Sequence, residues 1–468
     1  MSKQHLGIIG LGVMGSNLAF NAESKGFSAA GYDLSADKVQ QFAARGSGKK
    51  VVAAKTLPDF VNSLEEPRRI LMMVPAGAPV DAVLRDLKPH LKAEDIVIDG
   101  GNSYFKDTDR RVKELEGGGL RFFGMGVSGG EEGALHGPSL MPGGHEDSYK
   151  HLEPVLTKMA AQTGDGACCT WLGPRSAGHY VKMVHNGIEY GIMQALCEVY
   201  DLLKSGLGFS TTEIRDTFAE WSQAELGSFL VEISALVLSK IDPNTQQPLV
   251  DAILDEGEQK GTGKWTAQDA MDLGVAVPTL TTAVCSRILS GQKDERVAAS
   301  AILTGPSPKF TGQKAVLLGK VRHSLAVTMA VCYAQGFELL RVASAEYDYN
   351  LNPPEIARIW KGGCIIRSKM LDPIAAAFRA NPGLKNLLLD SYFSRMVNEQ
   401  GQSLREVAET SAGLGIPCPA MAASLAYVDS YRRQRLPANF LQALRDCFGA
   451  HTYRRTDKPG VFHTEWKD

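Results

Sequence analysis

The stretch His5-Leu6-Gly7-Ile8-Ile9-Gly10-Leu11-Gly12-Val13-Met14-Gly15 decides the fold. Residues 5 to 9 read as a buried strand, and Asn17 to Gly26 continue as a helix that ends in glycine. A GxGxxG motif by itself is a weak signal; between a strand and a helix it reads as a dinucleotide-binding turn. Gly10 makes the tight turn and Gly12 lets a pyrophosphate approach the backbone. Gly15 lets helix and strand pack closely, and the helix N-terminus faces the phosphates. Leu11, Val13 and Met14 lie between these glycines and share the turn.

The next strand, Ser28 to Tyr32, ends in Asp33. A carboxylate there accepts hydrogen bonds from the adenosine ribose and repels a 2′-phosphate. Leu34 offers no guanidinium, Ser35 follows it, and Lys38 lies one turn further on. This pattern favours NAD over NADP. Strands near Val51, at Arg69 to Val74 and at Asp95 to Asp99 alternate with helices, which argues a mainly parallel, doubly wound sheet. Two glycine-rich stretches follow strands in that sheet, Asp99 to Ser103 and Gly126 to Gly133. Ligands bind outside the carboxyl ends of such strands. Val74, Pro75 and Ala76 are therefore expected beside the cofactor, and Asn102, Ser128, Gly129 and Gly130 are site candidates. Turn chemistry alone is the other reading of both loops.

A last strand is expected at Cys168 to Trp171; from about 177 strand signals vanish and amphipathic helices take over. The chain thus divides into a dinucleotide-binding domain at 1–176, an all-helical domain at 177–434 and a C-terminal tail at 435–468. A weak internal repeat marks the helical part. Glu213-Ile214 and Phe218 after Ser210-Thr211-Thr212 resemble Glu355-Ile356 and Trp360 after Asn352-Pro353-Pro354. Duplication and chance similarity both account for it.

The helical domain opens on an unusual helix. Lys182, His185, Asn186, Glu189 and Tyr190 occupy one face at positions where a surface helix carries its apolar stripe. Val181, Val184, Ile188 and Ile192 are free to pack behind them. Lys182 and Glu189 are seven residues apart, so they share a face about 10 Å apart along the axis. That suits a base and an acid working on different carbons of one substrate; a hydrogen-bonded structural seam is the rival. Lys260, Thr262 and Arg287 form a possible phosphate clamp around a Gly261–Gly263 turn that lacks the Walker spacing. A solvated basic turn fits these residues equally well.

The 468 residues carry a net charge of -2, which gives no overall pull toward nucleic acid or an anionic membrane. No membrane span and no targeting segment is read from the sequence. Eight scattered cysteines without metal spacing read as free thiols of a cytoplasmic protein. The tail, rich in arginine and aromatic residues, is poor material for disorder and is expected to dock on a partner subunit.

GLGVMG, DGGNSYF, GVSGGEEGALHGPSLMPGG, GHYVKMVHNGIEYG, KGTGKWT and RDCFGAHTYRR stand in the order found in the 6-phosphogluconate dehydrogenase family, which this chain resembles along essentially its whole length. The resemblance implies a Rossmann domain, a duplicated all-helical domain and a tail that threads into the other subunit of a homodimer. It implies metal-free oxidative decarboxylation of 6-phosphogluconate to ribulose 5-phosphate in the pentose phosphate pathway. Lys182 resembles the family's general base and Glu189 its general acid. Asn102, Ser128, Gly129, Gly130, His185 and Asn186 would hold the sugar acid. Tyr190, Lys260, Thr262, Arg287 and, from the partner subunit, Arg445 and His451 would hold the phosphate. Where NADP-using members carry Asn-Arg-Ser/Thr, this chain has Asp33-Leu34-Ser35. Two other functions fit parts of the sequence. An NAD-sensing regulator would need the glycine turn but no base, acid or clamp. A sister β-hydroxyacid dehydrogenase would have no use for the clamp.

Overall fold

The computed structural model describes residues 2–306 and 309–467. Strand β1 (Leu6–Ile9) leads through the glycine turn into α1 (Val13–Ser24). Gly10 has φ +94°, a backbone region that side chains rarely occupy, and a Cβ on Gly15 would collide with the Gly10 carbonyl. Both glycines are therefore required by the turn itself. Alternation continues through β2 (Ala29–Tyr32), α2 (Ala36–Arg45), β3 (Val51–Ala53), α3 (Leu57–Asn62) and β4 (Arg69–Met72). It runs on through α4 (Ala78–Leu87), β5 (Ile96–Asp99), α5 (Phe105–Glu116), β6 (Arg121–Ser128), α6 (Gly130–His136) and β7 (Ser139–Gly143).

These strands form one sheet in the order β3-β2-β1-β4-β5-β6-β7. Its first six strands in sequence are parallel and β7 runs antiparallel to β6. Successive residues of a strand feed opposite faces. Ile8, Leu71 and Ile98 join one apolar cluster with α1 residues, while Ile9, Ile70, Met72 and Val97 join another on the far side. The sheet is doubly wound, as its sequence pattern implies. Strand order reverses between β1 and β4, and that switch point opens a crevice for a ligand.

Two local expectations fail. Gly126–Ser128 is not loop but the end of β6, and Gly130 begins α6. Glycines occur in this strand because a helix lies against it. A Cβ on Gly124 would stand 2.7 Å from His179 Nδ1, and one on Gly126 would stand 2.8 Å from Lys182 Cγ. The expected strand Cys168 to Trp171 is likewise absent. After α7 (Glu146–Tyr149) and α8 (Glu153–Met159), a short hairpin of β8 (Gln162–Thr163) and β9 (Gly166–Ala167) takes its place. Only an isolated bridge joins Cys169 to Leu140.

From α9 (Ala177–Asp201) onward the elements among the described residues are helical. They comprise α10 (Thr211–Gln223), α11 (Phe229–Leu238), α12 (Thr262–Asp272), α13 (Pro278–Ser290), α14 (Lys293–Ser300), α15 (Lys314–Glu346), α16 (Pro353–Ile359), α17 (Leu371–Ala380), α18 (Ser391–Leu414), α19 (Pro419–Tyr431) and α20 (Ala438–Gly449). Two long helices, α9 and α15, each precede a shorter capped one. Ser210 and Glu213 close a capping box on α10, and the Asn352 side chain caps α16. Among the described helices α15 is long and apolar enough to cross a membrane by length and composition; 61% of its apolar stretch is buried in this fold. All eight cysteines are free thiols.

The chain forms two compact units, one ending at Ser424 and the other beginning at Leu425. The second therefore starts inside α19, upstream of the change in composition at 435.

Candidate active site

Helix α9 is buried on nearly every side, polar face included. Lys182 is 5% exposed, His185 0% and Asn186 8%. The apolar residues behind them, Val181, Val184 and Ile188, are fully buried. Strand β6 fixes the register. Gly126 faces Lys182, and Ser128, at the strand's end, places its Oγ 3.3 Å from His185 Nε2. Replacing Gly126 with alanine would drive a methyl group into the Lys182 stem. We expect this overpacking to cost roughly 1–3 kcal/mol of stability and to lower kcat. Thermal melts and steady-state rates of Gly126→Ala check both, and an unaltered variant would contradict the packing.

A polar chain runs along this face. Lys182 Nζ lies 3.4 Å from His185 Nδ1, and that nitrogen lies 2.9 Å from Asn186 Oδ1. With Nδ1 donating to Asn186, Nε2 accepts from the Ser128 hydroxyl, whose oxygen accepts from Ile365 N at 3.5 Å. Asn186 Nδ2 donates to Thr262 Oγ1 at 3.1 Å. The environment sets the charge states. Burial lowers the Lys182 pKa, with the Glu189 carboxylate opposing. Burial and the Lys182 charge hold His185 well below its ordinary value, so the imidazole stays neutral. Burial raises the Glu189 pKa against the pull of Lys182 and Arg287. A lysine pushed toward neutrality and a carboxyl pushed toward its acid form on one face are in the charge states that a base and an acid would need.

The next turn of α9 meets the residues expected to form a clamp. A Cβ on Gly263 would touch the Tyr190 ring at 2.6 Å, and the Arg287 guanidinium stacks 3.4 Å from that ring's centroid. Thr262 opens α12 and is buried, while Lys260 is exposed just before it. Thr266 Oγ1 donates to Met183 O at 2.8 Å and so ties α12 to α9. Tyr190, Thr262 and Arg287 are thereby gathered beside Lys260. Arg445 and His451 belong to the second unit, where both are exposed, on α20 and on the turn after it.

Asn102 is exposed on a loop anchored from below. Asp99 accepts from Gly101 N at 3.0 Å and from Ser103 Oγ at 2.6 Å. Gly129, at φ +120°, would place a Cβ 2.6 Å from the Gly363 carbonyl. The segment Trp360–Ile365 thus reaches the site. Cys364 is buried close to Lys182, and the Trp360 ring stands 5.6 Å from that of His185, edge to face. In the sequence Trp360 stands out only through the weak repeat and the rest of the segment not at all, because its place beside α9 comes from chain return rather than from local pattern.

The crevice at the sheet's switch point has a volume of about 470 Å³ and is lined by Gly10, Gly12, Asp33, Leu34, Val74 and Pro75, among others. Lys38, expected from its place one turn beyond Leu34 to be a solvated residue, also lines it, as do Tyr32 and the α4 residues Pro79, Ala82 and Val83, which lie outside the sequence expectation. Leu11, Val13, Met14, Gly15, Ser35 and Ala76 adjoin those lining residues in sequence; Ser35 is occupied as the N-cap of α2. A Cβ on Gly12 would meet open space, so the backbone there is bare toward a ligand. Asp33 accepts from Leu11 N at 2.7 Å and from Ser35 N at 2.9 Å, which leaves each oxygen one further lone pair. Leu34 is 88% exposed. Lys38 Nζ lies 3.7 Å from Asp33 Oδ2. These features fit a dinucleotide. Among the described residues no group of three or more His, Cys, Asp or Glu is placed to hold a metal.

Comparison with known proteins places the chain in one family along nearly its whole length. A family model described as the NAD binding domain of 6-phosphogluconate dehydrogenase matches residues 5–173, and one described as the 6-phosphogluconate dehydrogenase C-terminal domain matches residues 178–466. The chain is 54% identical to a decarboxylating 6-phosphogluconate dehydrogenase of Synechocystis, over 100% of this chain and 98% of that one. It is 52% identical to an NADP(+)-dependent, decarboxylating 6-phosphogluconate dehydrogenase of Bacillus subtilis, over the full length of both. Its fold is similar to that of Plasmodium falciparum 6-phosphogluconate dehydrogenase, a structure described with cofactor NADP+ and with substrate 6-phosphogluconate. The TM-score is 0.94 at 40% identity, covering 98% of this chain and 100% of that one.

Proposed function

The chain belongs to the 6-phosphogluconate dehydrogenase family, and on that premise we propose that it converts 6-phosphogluconate to ribulose 5-phosphate and CO2, with NAD preferred to NADP. The observation that carries the chemistry is the buried α9 face, where burial moves Lys182 toward neutral and Glu189 toward protonated.

In this reading neutral Lys182 removes the proton of the 3-hydroxyl as C3 is oxidised. When bound, the dinucleotide accepts the hydride from C3. The resulting β-keto acid loses CO2 because the new carbonyl accepts the electron pair. Lys182, now protonated, stabilises the developing enolate oxygen. Glu189 then delivers a proton to the carbon left by CO2. Neutral His185 and Asn186, with Ser128, Gly129, Gly130 and Asn102, orient the sugar acid. Tyr190, Lys260, Thr262 and Arg287 grip its phosphate, joined by Arg445 and His451 of the partner subunit in a homodimer. The division into domains at 176 and 434, and a cytoplasmic setting for the pentose phosphate pathway, belong to the same proposal.

Glu189→Gln keeps the shape and removes the transferable proton. We expect kcat to fall by about 10²- to 10³-fold, in the range of a lost general acid, with the loss concentrated in proton delivery. Solvent isotope exchange into ribulose 5-phosphate measures that step; exchange and turnover at the unaltered rate would refute the role.

The NAD preference rests on Asp33, whose carboxylate faces the crevice, and on Leu34, which supplies no positive charge. The B. subtilis and P. falciparum relatives are described with NADP, so this part of the reading stands on these two residues alone. Lys38 is the one cation lining the crevice among the described residues, and its pairing with Asp33 provides the route by which NADP would bind second best.

A further inference from the structure

The second unit is built around one carboxylate. Asp446 is 1% exposed, although most of its neighbours on α20 face solvent. Its Oδ1 accepts from Thr452 N at 2.9 Å and lies 2.9 Å from His463 Nδ1. Its Oδ2 accepts from Thr464 N at 3.1 Å and from Trp466 Nε1 at 2.8 Å. Four donors thus converge on one side chain from two separate stretches of the tail. Burial alone would raise the Asp446 pKa; these donors outweigh it and hold the group at about 2, so it is a carboxylate at every working pH.

What the carboxylate holds is the turn after α20. Ala450 has φ 49° and Thr452 has φ 61°. Two non-glycine residues in the left-handed region, one of them β-branched, persist only where neighbours over-determine the backbone. Ala450 N donates to the Asp446 carbonyl at 2.9 Å, and Gln442 Nε2 donates to Thr452 O at 2.6 Å. His451 sits between the two strained residues with its ring 5.7 Å from that of Phe448. Arg445 is the residue next to Asp446 and is steadied by Gln442 at 3.2 Å. Beyond the turn, Tyr453 and Phe462 exchange backbone hydrogen bonds at 2.8 Å and bring His463 to Trp466 back onto α20.

We infer that Asp446 is a positioning residue for substrate binding: it clasps the tail on itself so that His451 is presented in one fixed geometry, beside Arg445 on its own helix. This rests on the reading that Arg445 and His451 grip the substrate phosphate. Asp446 touches neither substrate nor cofactor in this role. It acts by removing the freedom of a strained turn that would otherwise have to be ordered on binding.

The test is a double-mutant cycle on the full-length protein, read by steady-state kinetics. Asp446→Asn replaces one acceptor oxygen by a donor that faces other donors. The KM for 6-phosphogluconate should rise about tenfold or more, with kcat and the KM for the dinucleotide changed far less. His451→Ala should raise the same KM. If Asp446 works through His451, adding Asp446→Asn to His451→Ala should raise it little further. Fully additive effects would overturn the proposal, as would an unchanged KM in Asp446→Asn beside a raised one in His451→Ala. An unchanged KM in His451→Ala would overturn the phosphate reading itself, and the proposal with it. Trp466→Phe removes a single donor and serves if Asp446→Asn does not fold. It should raise the KM a fewfold, an effect absent in the His451→Ala background, and no rise would count against the proposal.

Discussion

Lys182→Met is expected to lower kcat by about 10⁴-fold while 6-phosphogluconate and dinucleotide still bind. General base catalysis is worth roughly 10²–10⁴, and the lysinium that stabilises the enolate oxygen adds a further factor of the kind that one oxyanion donor supplies. Methionine keeps the unbranched stem that packs against Gly126 and removes only the amine. The pH profile gives an independent check. A lysine acts as a base only when neutral, and burial lowers the Lys182 pKa from its ordinary value of about 10.4. Activity should therefore rise as pH climbs through that lowered pKa, and this limb should vanish in Lys182→Met. Glu189 must carry a proton to act as an acid, and burial raises its pKa. Activity should fall as pH passes that raised value, and this limb should vanish in Glu189→Gln. Binding titrations show whether ground-state affinity survives. A Lys182→Met variant that kept a tenth of the parent rate would remove the base from the account.

Exchanging Asp33-Leu34 for Asn-Arg should move the ratio of kcat/KM values for NADP over NAD upward by about 10²-fold or more. A guanidinium that pairs with a phosphate makes charge-assisted hydrogen bonds worth about 1.5–3 kcal/mol. Removing the carboxylate also ends its repulsion of the 2′-phosphate. The exchange has a cost. Asp33 accepts from the Leu11 and Ser35 amides, and an asparagine amide turned toward either would lose one of those bonds, about 1 kcal/mol. The gain should win because Leu34 is exposed on the crevice rim, where an arginine can take its place without repacking. Steady-state rates with both dinucleotides read the ratio directly. A ratio that does not move would mean that Lys38 or residues of α4 set the preference.

The parts of the molecule that were legible in the sequence are those in which local pattern and function coincide. Gly10 and Gly15 are forced by one turn and Gly12 leaves its backbone bare beside them, so strand, turn and helix are readable together. The polar stripe of α9 breaks the amphipathic rule, and a broken rule draws attention. Other features depend on contacts that no local pattern records. Gly126 looks like a loop residue because glycine clusters usually mark loops; here the reason for glycine is a helix packed on a strand. The Arg287 stack on Tyr190 and the return of Trp360–Ile365 join residues far apart in the chain. Asp446 reads as one more surface acid on an exposed helix until Thr452, His463, Thr464 and Trp466 close around it.

The most direct test of the whole account is turnover of 6-phosphogluconate by the purified protein with NAD and with NADP at matched concentrations, following reduced dinucleotide and CO2 together. Equimolar reduced dinucleotide, CO2 and ribulose 5-phosphate are expected, with the higher kcat/KM for NAD. Reduction without CO2 release, or no turnover with either dinucleotide, would contradict the proposed chemistry, and a higher kcat/KM for NADP would contradict the role given to Asp33.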